Sequence, residues 1–344
     1  MTAPLARIGI VSIGDMGMGI ARLLAAHGFS MATNCKGRSD DTIDRARSAN
    51  VEMYGSDEEL AAACDVILSV VPPRDAAATA QRIVDAVTIF PLEDDDEKKK
   101  RVPLIYADLN AVAPSTARSI AAFFEHPRAR GRVHFVDGAI IGGPPAPKPI
   151  TGADAPPGSS SSGGAAAGGG WHVPSIPLSG PYRLSDAPGY GAALTAALNA
   201  RHVADEVGVA SGLKMCFASL TKGFTSLAVQ SLTTARRLGV LGELQDELRA
   251  RAPAHWAAAE RGVVAMAPKA YRWVREMEEI ALTFDEEGGF PPDLFHGVAG
   301  VYRSVAEDTV LGLERVGKRT RGTDVEDMAA AVAEGLEKKR KKND

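Results

Sequence analysis

From Arg7 to Ile13 the chain is a short run of apolar, partly β-branched residues; a glycine-punctuated turn follows, and apolar positions then recur with helical spacing from Met18 to His27. The same change of period repeats downstream. Strand-like runs at Phe29–Thr33, Val51–Met53, Val66–Val71, Leu104–Asp108 and His134–Val136 are separated by helix-period segments at Ser39–Ser48, Ser56–Ala63 and Ala76–Val87. Strands alternating with helices predict an α/β domain built on a doubly wound parallel sheet. Two further short strands are expected at Ile176–Pro181 and Arg201–Ala204. From Gly208 onward only helical spacing remains, at Ala210–Leu238, Leu241–Arg251, Ala254–Ala265, Ala270–Phe284, Leu294–Thr309 and Val325–Leu336. The pattern therefore predicts an α/β domain over 1–207 and an all-α domain over 208–336, with a frayed, basic tail at 337–344.

Composition changes this picture at one place. Residues 142–181 hold 19 of the chain's 35 glycines and 21 prolines, including a tract from Gly158 to Gly170 made only of Gly, Ser and Ala. Such a tract buries too little surface to offset its ordering entropy, so a disordered insertion is expected over about 146–175. The charged run Glu93–Arg101 is read as a solvated loop. A formal net charge of −4 argues against nucleic-acid partners. The one basic run, Lys338, Lys339, Arg340, Lys341 and Lys342, reads as a solvated tail or a nuclear address. Three cysteines make no disulfide framework, Cys216 beside Met215 reads as core, and no Cys/His spacing suggests a metal site. No apolar run is long enough to span a bilayer, and the first strand starts too early for a signal peptide; the expected location is the cytoplasm.

Candidate chemistry begins in the first turn, Ser12-Ile13-Gly14-Asp15-Met16-Gly17. A dinucleotide-binding turn takes the form G-x-G-x-x-G because it must be tight, admit a pyrophosphate to the backbone and let the helix pack on the strand. Here Ser12 stands in the first glycine position. The expected contacts are Gly14, Asp15, Met16 and Gly17, with the pyrophosphate on the helix N-terminus. At the end of the second strand an acidic residue would read a ribose 2′-hydroxyl. Lys36-Gly37-Arg38-Ser39 occupies that place, so the expected cofactor is NADP rather than NAD, with Arg38 as the bidentate donor and Lys36 and Ser39 assisting. Val71 and Pro72, after the strand that should flank the nucleotide, are expected to wall the groove.

Taken together, the opening turn, Asp108-Leu109-Asn110, the run from Asp137 through Ile141-Gly142-Gly143 to Pro145, and Gly208-Val209-Ala210-Ser211-Gly212-Leu213-Lys214 resemble the β-hydroxyacid dehydrogenases. That superfamily includes 6-phosphogluconate dehydrogenase and the imine reductases. Gly37-Arg38-Ser39, Thr221-Lys222-Gly223 and the stretch Pro268–Glu279 are more similar to a subgroup with a C-terminal domain of unknown function. The likeness spans roughly residues 5 to 310 outside the insertion. It implies a Rossmann-type domain, Lys214 as general acid/base, Asn110 near the nicotinamide ribose or substrate, and a homodimer formed through the helical domain around a small-molecule substrate. Two positions depart from the pattern. Ile141 replaces the serine that grips a substrate carboxylate, leaving Gly142 and Gly143, and Ala218 replaces the asparagine one turn after the lysine. A carbonyl/alcohol oxidoreductase is the first expectation; imine reduction or a non-catalytic nucleotide-binding role are the alternatives. Lys222, on nearly the face of Lys214, and Trp273 are further expected substrate contacts.

Overall fold

The computed structural model describes residues 3–89, 102–148, 170–315 and 317–343. The charged run Glu93–Arg101 and residues 149–169 of the expected insertion lie outside the described residues. The chain divides into two compact units, up to Lys214 and from Met215 on.

In the first unit, β1 (Arg7–Val11), α1 (Asp15–Ala26), β2 (Ser30–Asn34), α2 (Asp40–Ser48), β3 (Glu52–Tyr54), α3 (Asp57–Ala63) and β4 (Val66–Ser69) follow the expected alternation. After α4 (Ala76–Thr88) come β5 (Leu104–Asp108), α5 (Pro114–Phe123) and β6 (Val133–Gly138). Neither α5 nor α6 (Gly191–Ala197) is among the expected helices; α5 has Pro114 in its first turn, where a missing N–H costs nothing. Alternate strand residues supply opposite faces. Ile8, Ile10, Val66, Leu68, Ile105 and Ala107 belong to one buried layer, whereas Ile67, Leu104 and Tyr106 belong to the other. Both faces are covered, as a parallel sheet requires.

Among the described residues the sheet order is β10-β9-β6-β5-β4-β1-β2-β3, where β9 is Ile176–Ser179 and β10 is Ala200–Ala204. The six strands β1 to β6 are parallel in the 3-2-1-4-5-6 order of a dinucleotide-binding domain. β9 runs antiparallel to β6, with Asp137 opposite Ser179. The ends of the expected insertion are ordered, which corrects the expectation of disorder from 146: β7 (Ala146–Pro147) pairs antiparallel with β8 (Trp171–His172), and Ile141 bridges Ser175. Backbone pairing holds these flanks, and composition does not report it.

The second unit contains most of α7 (Val209–Leu238), then α8 (Leu241–Arg251), α9 (Pro253–Met266), α10 (Ala270–Glu286), α11 (Asp293–Asp308) and α12 (Val325–Asn343). Its core includes Leu232, Val263, Met266, Met277, Ile280, Tyr302, Val305 and Met328, and Phe284 meets Phe295 edge-on at 5.1 Å. The basic run is not a frayed tail. It completes α12, where Lys341 pairs with Glu337 one turn back, Lys339 reaches Asp308 at 2.7 Å, and cations suit a helix C-terminus. Cys216 is exposed, not core, because its neighbour Met215 takes the inward position about 100° away around the helix. No helix of the described residues is long and apolar enough to cross a membrane.

Candidate functional site

The strand order reverses between β1 and β4, and in such sheets ligands bind beyond the carboxyl ends of the strands at that point. The turn after β1 lies there. Ser12 adopts φ +81°, the left-handed conformation for which the pattern favours glycine. A Cβ on Gly17 would stand 2.1 Å from the Ser12 carbonyl oxygen, so only glycine fits. Gly14 has open space where its Cβ would be and is the N-cap of α1, a residue with no side chain to cap the first turn. An open glycine at a helix N-terminus, where the first N–H groups have no partner within the helix, fits a pyrophosphate. Gly19, one turn on, lets α1 approach Pro145: a Cβ there would lie 2.9 Å from the Pro145 carbonyl oxygen.

The loop after β2 carries the expected 2′-phosphate readers. Lys36, Arg38 and Ser39 are exposed, and Gly37 turns the chain at φ +69°. Lys36 N–H donates to the Asn34 side chain at 2.9 Å, and Arg38 N–H to the Cys35 carbonyl at 3.1 Å. Asp57, the acid beside this loop, accepts two hydrogen bonds from Arg82 at 2.8 and 2.9 Å and one from Asn34 at 2.8 Å.

Asn110, expected near the nicotinamide ribose or substrate, points its side chain toward β4. It is buried; its Nδ2 donates to Ser69 Oγ at 3.0 Å and its Oδ1 accepts from Val71 N–H at 2.7 Å, so it fixes the exit of β4, with Val71 and Pro72, from inside. An asparagine after β5 offered no sign in the sequence of which way it faces. Asp108 holds the Asn110 backbone N–H at 3.0 Å. Complete burial pushes its carboxyl up to about 7, against the hydrogen bond from Asn110 and with help from the neighbouring charge of Asp137.

Asp137, at the end of β6, organises the start of α7. Its carboxylate accepts from Ser179 Oγ at 2.7 Å, Gly208 N–H at 2.9 Å, Ser211 N–H at 3.3 Å and Ser211 Oγ at 2.6 Å. Burial raises its pKa while these donors oppose the shift. Three residues on from Asp137, the Ile140 carbonyl accepts from Lys214 Nζ at 2.7 Å. One segment thus grips α7 at its N-terminus and again at the lysine, which explains why the compact first unit extends through Lys214 although helical spacing begins at 208. Ile141 uses both its N–H and its carbonyl on Ser175, at 2.8 and 3.0 Å, so its backbone is occupied as well as its side chain being apolar. Gly142 follows at φ +135° and Gly143 is open.

In the second unit, Lys222 forms an ion pair with Glu276 and lies 5.0 Å from the centre of the Trp273 ring. Trp273 meets Tyr302 edge-on at 5.2 Å, and the Tyr302 hydroxyl donates to the Lys222 carbonyl at 2.5 Å. Burial and the charge of Glu276 raise the Tyr302 hydroxyl far above its usual range. Lys222 and Trp273 are therefore neighbours, and the lysine's charge is matched by Glu276.

Comparison with known proteins follows the same division. Residues 7–88 match the family described as NADP oxidoreductase coenzyme F420-dependent, and residues 235–305 match a domain of unknown function, DUF1932. One matched segment falls in each of the two compact units. A 3-hydroxyisobutyrate dehydrogenase from Salmonella typhimurium is 18% identical and has a TM-score of 0.59, the alignment covering 95% of this chain and 98% of that one. An imine reductase variant from Myxococcus stipitatus, in complex with NAD+, is 15% identical with a TM-score of 0.50, covering 98% and 100%. Among curated proteins, an uncharacterized 28.5 kDa protein from Methanothermus fervidus is 27% identical over 136 residues, which are 40% of this chain and 45% of that protein's length. At these identities the solved structures establish the fold.

Proposed function

We propose that the protein is an NADP-dependent oxidoreductase that moves hydride between the nicotinamide and a carbonyl or alcohol carbon of a small molecule. The observation that carries this reading is the fixed position of Lys214, whose amine is held to the Ile140 carbonyl at 2.7 Å where the substrate loop leaves β6. The bound cofactor supplies the hydride acceptor or donor at its nicotinamide. In the oxidation direction the Lys214 amine takes the hydroxyl proton as the C–H bond gives up hydride; in reduction the ammonium returns it to the carbonyl oxygen. The Ile140 carbonyl fixes one hydrogen-bond direction of the amine.

The Ser12–Gly17 turn, the α1 N-terminus and the Lys36–Ser39 loop support NADP binding, and Val71, Pro72 and the Asn110 that fixes them support the groove wall. Ile141, with no hydroxyl and no free backbone group, disfavours a carboxylate at the usual place and supports a less polar carbonyl substrate. The same observation favours a second reading, reduction of a C=N bond. A homodimer formed through the helical region, working in the cytoplasm, completes the proposal. The test is turnover of NADPH against a panel of ketones, aldehydes, cyclic imines and hydroxy acids. NADPH binding without turnover on any of them overturns the catalytic reading; preferential turnover of the imines selects the second.

A further inference from the structure

We infer that Arg45 is a positioning residue for the dinucleotide, holding the phosphate-binding turn in its strained shape; this rests on the nucleotide-binding reading above. Arg45 lies on α2, well away in sequence from the turn, yet its Nε donates to the Ile13 carbonyl at 2.8 Å. Ile13 follows Ser12, the residue in the left-handed conformation, and precedes Gly14, whose open face is where phosphate oxygens approach. Strain of this kind persists only where surrounding structure enforces it. The guanidinium does two things here. It fixes the peptide on the strained side of the turn, and it neutralises a carbonyl dipole that would otherwise sit, with negative end free, in an anion-binding turn.

Arg45 is itself aimed. Its Nη2 donates to Thr42 Oγ1 at 3.0 Å, and Thr42 Oγ1 lies 3.1 Å from Ser39 Oγ. Ser39, Thr42 and Arg45 are spaced three apart along one face of α2, so the hydrogen bonds run from the loop after β2 to the turn after β1. The phosphate turn is common to NAD and NADP, whereas the Lys36–Ser39 loop discriminates between them. Holding the turn must therefore affect both dinucleotides alike.

The experiment measures dissociation constants of NADPH and NADH by nucleotide fluorescence, with thermal melting of the nucleotide-free protein alongside. Arg45→Met weakens both nucleotides by a similar factor, about tenfold for one charge-assisted bond. Arg45→Lys, which restores a donor to Ile13, recovers part of the affinity. Thr42→Val, which leaves the cation and removes its guide, weakens both to a smaller extent and carries the test should Arg45→Met fail to fold. Arg38→Ala weakens NADPH alone. Unchanged affinities with a lowered melting temperature would make Arg45 a purely structural residue, and selective loss of NADPH would make it a 2′-phosphate reader; either overturns the inference. If the unaltered protein binds neither nucleotide, the functional proposal fails, which is a distinguishable result.

Discussion

Asp108 and Asp137 are register partners on the parallel strands β5 and β6, and they differ in how their oxygens are satisfied. Asp137 has hydrogen-bond donors on both oxygens, whereas Asp108 Oδ2 is buried with no hydrogen-bond partner among the described residues. Burial pushes the carboxyl of Asp108 up to about 7.

That difference sets a pH dependence. An unfolded aspartate releases its proton near pH 4, while folded Asp108 releases it near 7, so between these values the folded chain holds a proton that the unfolded chain lacks. This contribution is most favourable below pH 4, declines as pH rises and levels off above 7, a loss of about 4 kcal/mol. Asp108→Asn can still accept from the Asn110 N–H and removes the titration. Melting at pH 5 and pH 8 should shift the difference between variant and unaltered protein in favour of the variant at pH 8; parallel changes would contradict the burial argument.

Lys214 is tested by separating its contact from its proton chemistry. Lys214→Arg retains a donor for the Ile140 carbonyl but cannot deprotonate. We expect turnover to fall by about 10²–10⁴-fold with NADPH affinity unchanged, as steady-state kinetics and binding titration will report. Turnover close to normal would remove the lysine from the proton path.

The phosphate turn makes opposite predictions at two positions. Ser12→Gly relieves an unfavourable φ at some cost in chain entropy and should leave stability within about 1 kcal/mol while preserving NADPH binding. Gly17→Ala places a methyl against the Ser12 carbonyl and should abolish binding or folding. Calorimetry with and without NADPH distinguishes them.

The Lys222–Glu276 pair is largely buried, with side-chain exposures of 17% and 10%. Glu276→Leu should destabilise by about 3–5 kcal/mol by stranding the Lys222 charge, and adding Lys222→Met should recover most of the loss. Equal and additive losses in a double-mutant cycle would show that the two do not act as a pair.

Strands β1, β4 and β5 were legible because they are continuous apolar runs, and α1 and α4 because they carry broad apolar stripes. What stayed hidden depends on features without a period. α5, rich in Ala and Ser, has no broad stripe, and α6 is only two turns long. The reversal of β9 depends on which strand accepts its backbone, a non-local choice. At the candidate site, the turn could be found by its spacing, and Lys214 through the resemblance of Gly208–Lys214 to the β-hydroxyacid dehydrogenases. The inward rotation of Asn110 and the reach of Arg45 to Ile13 could not, because an asparagine in a loop or an arginine on a short helix has the same local appearance whether it faces solvent or a neighbour.

The two-residue ribbon of β7 and β8 has a consequence of its own. By pairing Ala146 with His172 and Pro147 with Trp171, it closes the chain before residue 149 and reopens it after 169, so both ends of that stretch leave the domain side by side. Loop closure costs only about 0.6 kcal/mol per doubling of length, and the ribbon fixes the ends. A fluorescent tag or an affinity handle spliced between these paired ends should leave β6 and β9 undisturbed, which an unchanged melting temperature would show.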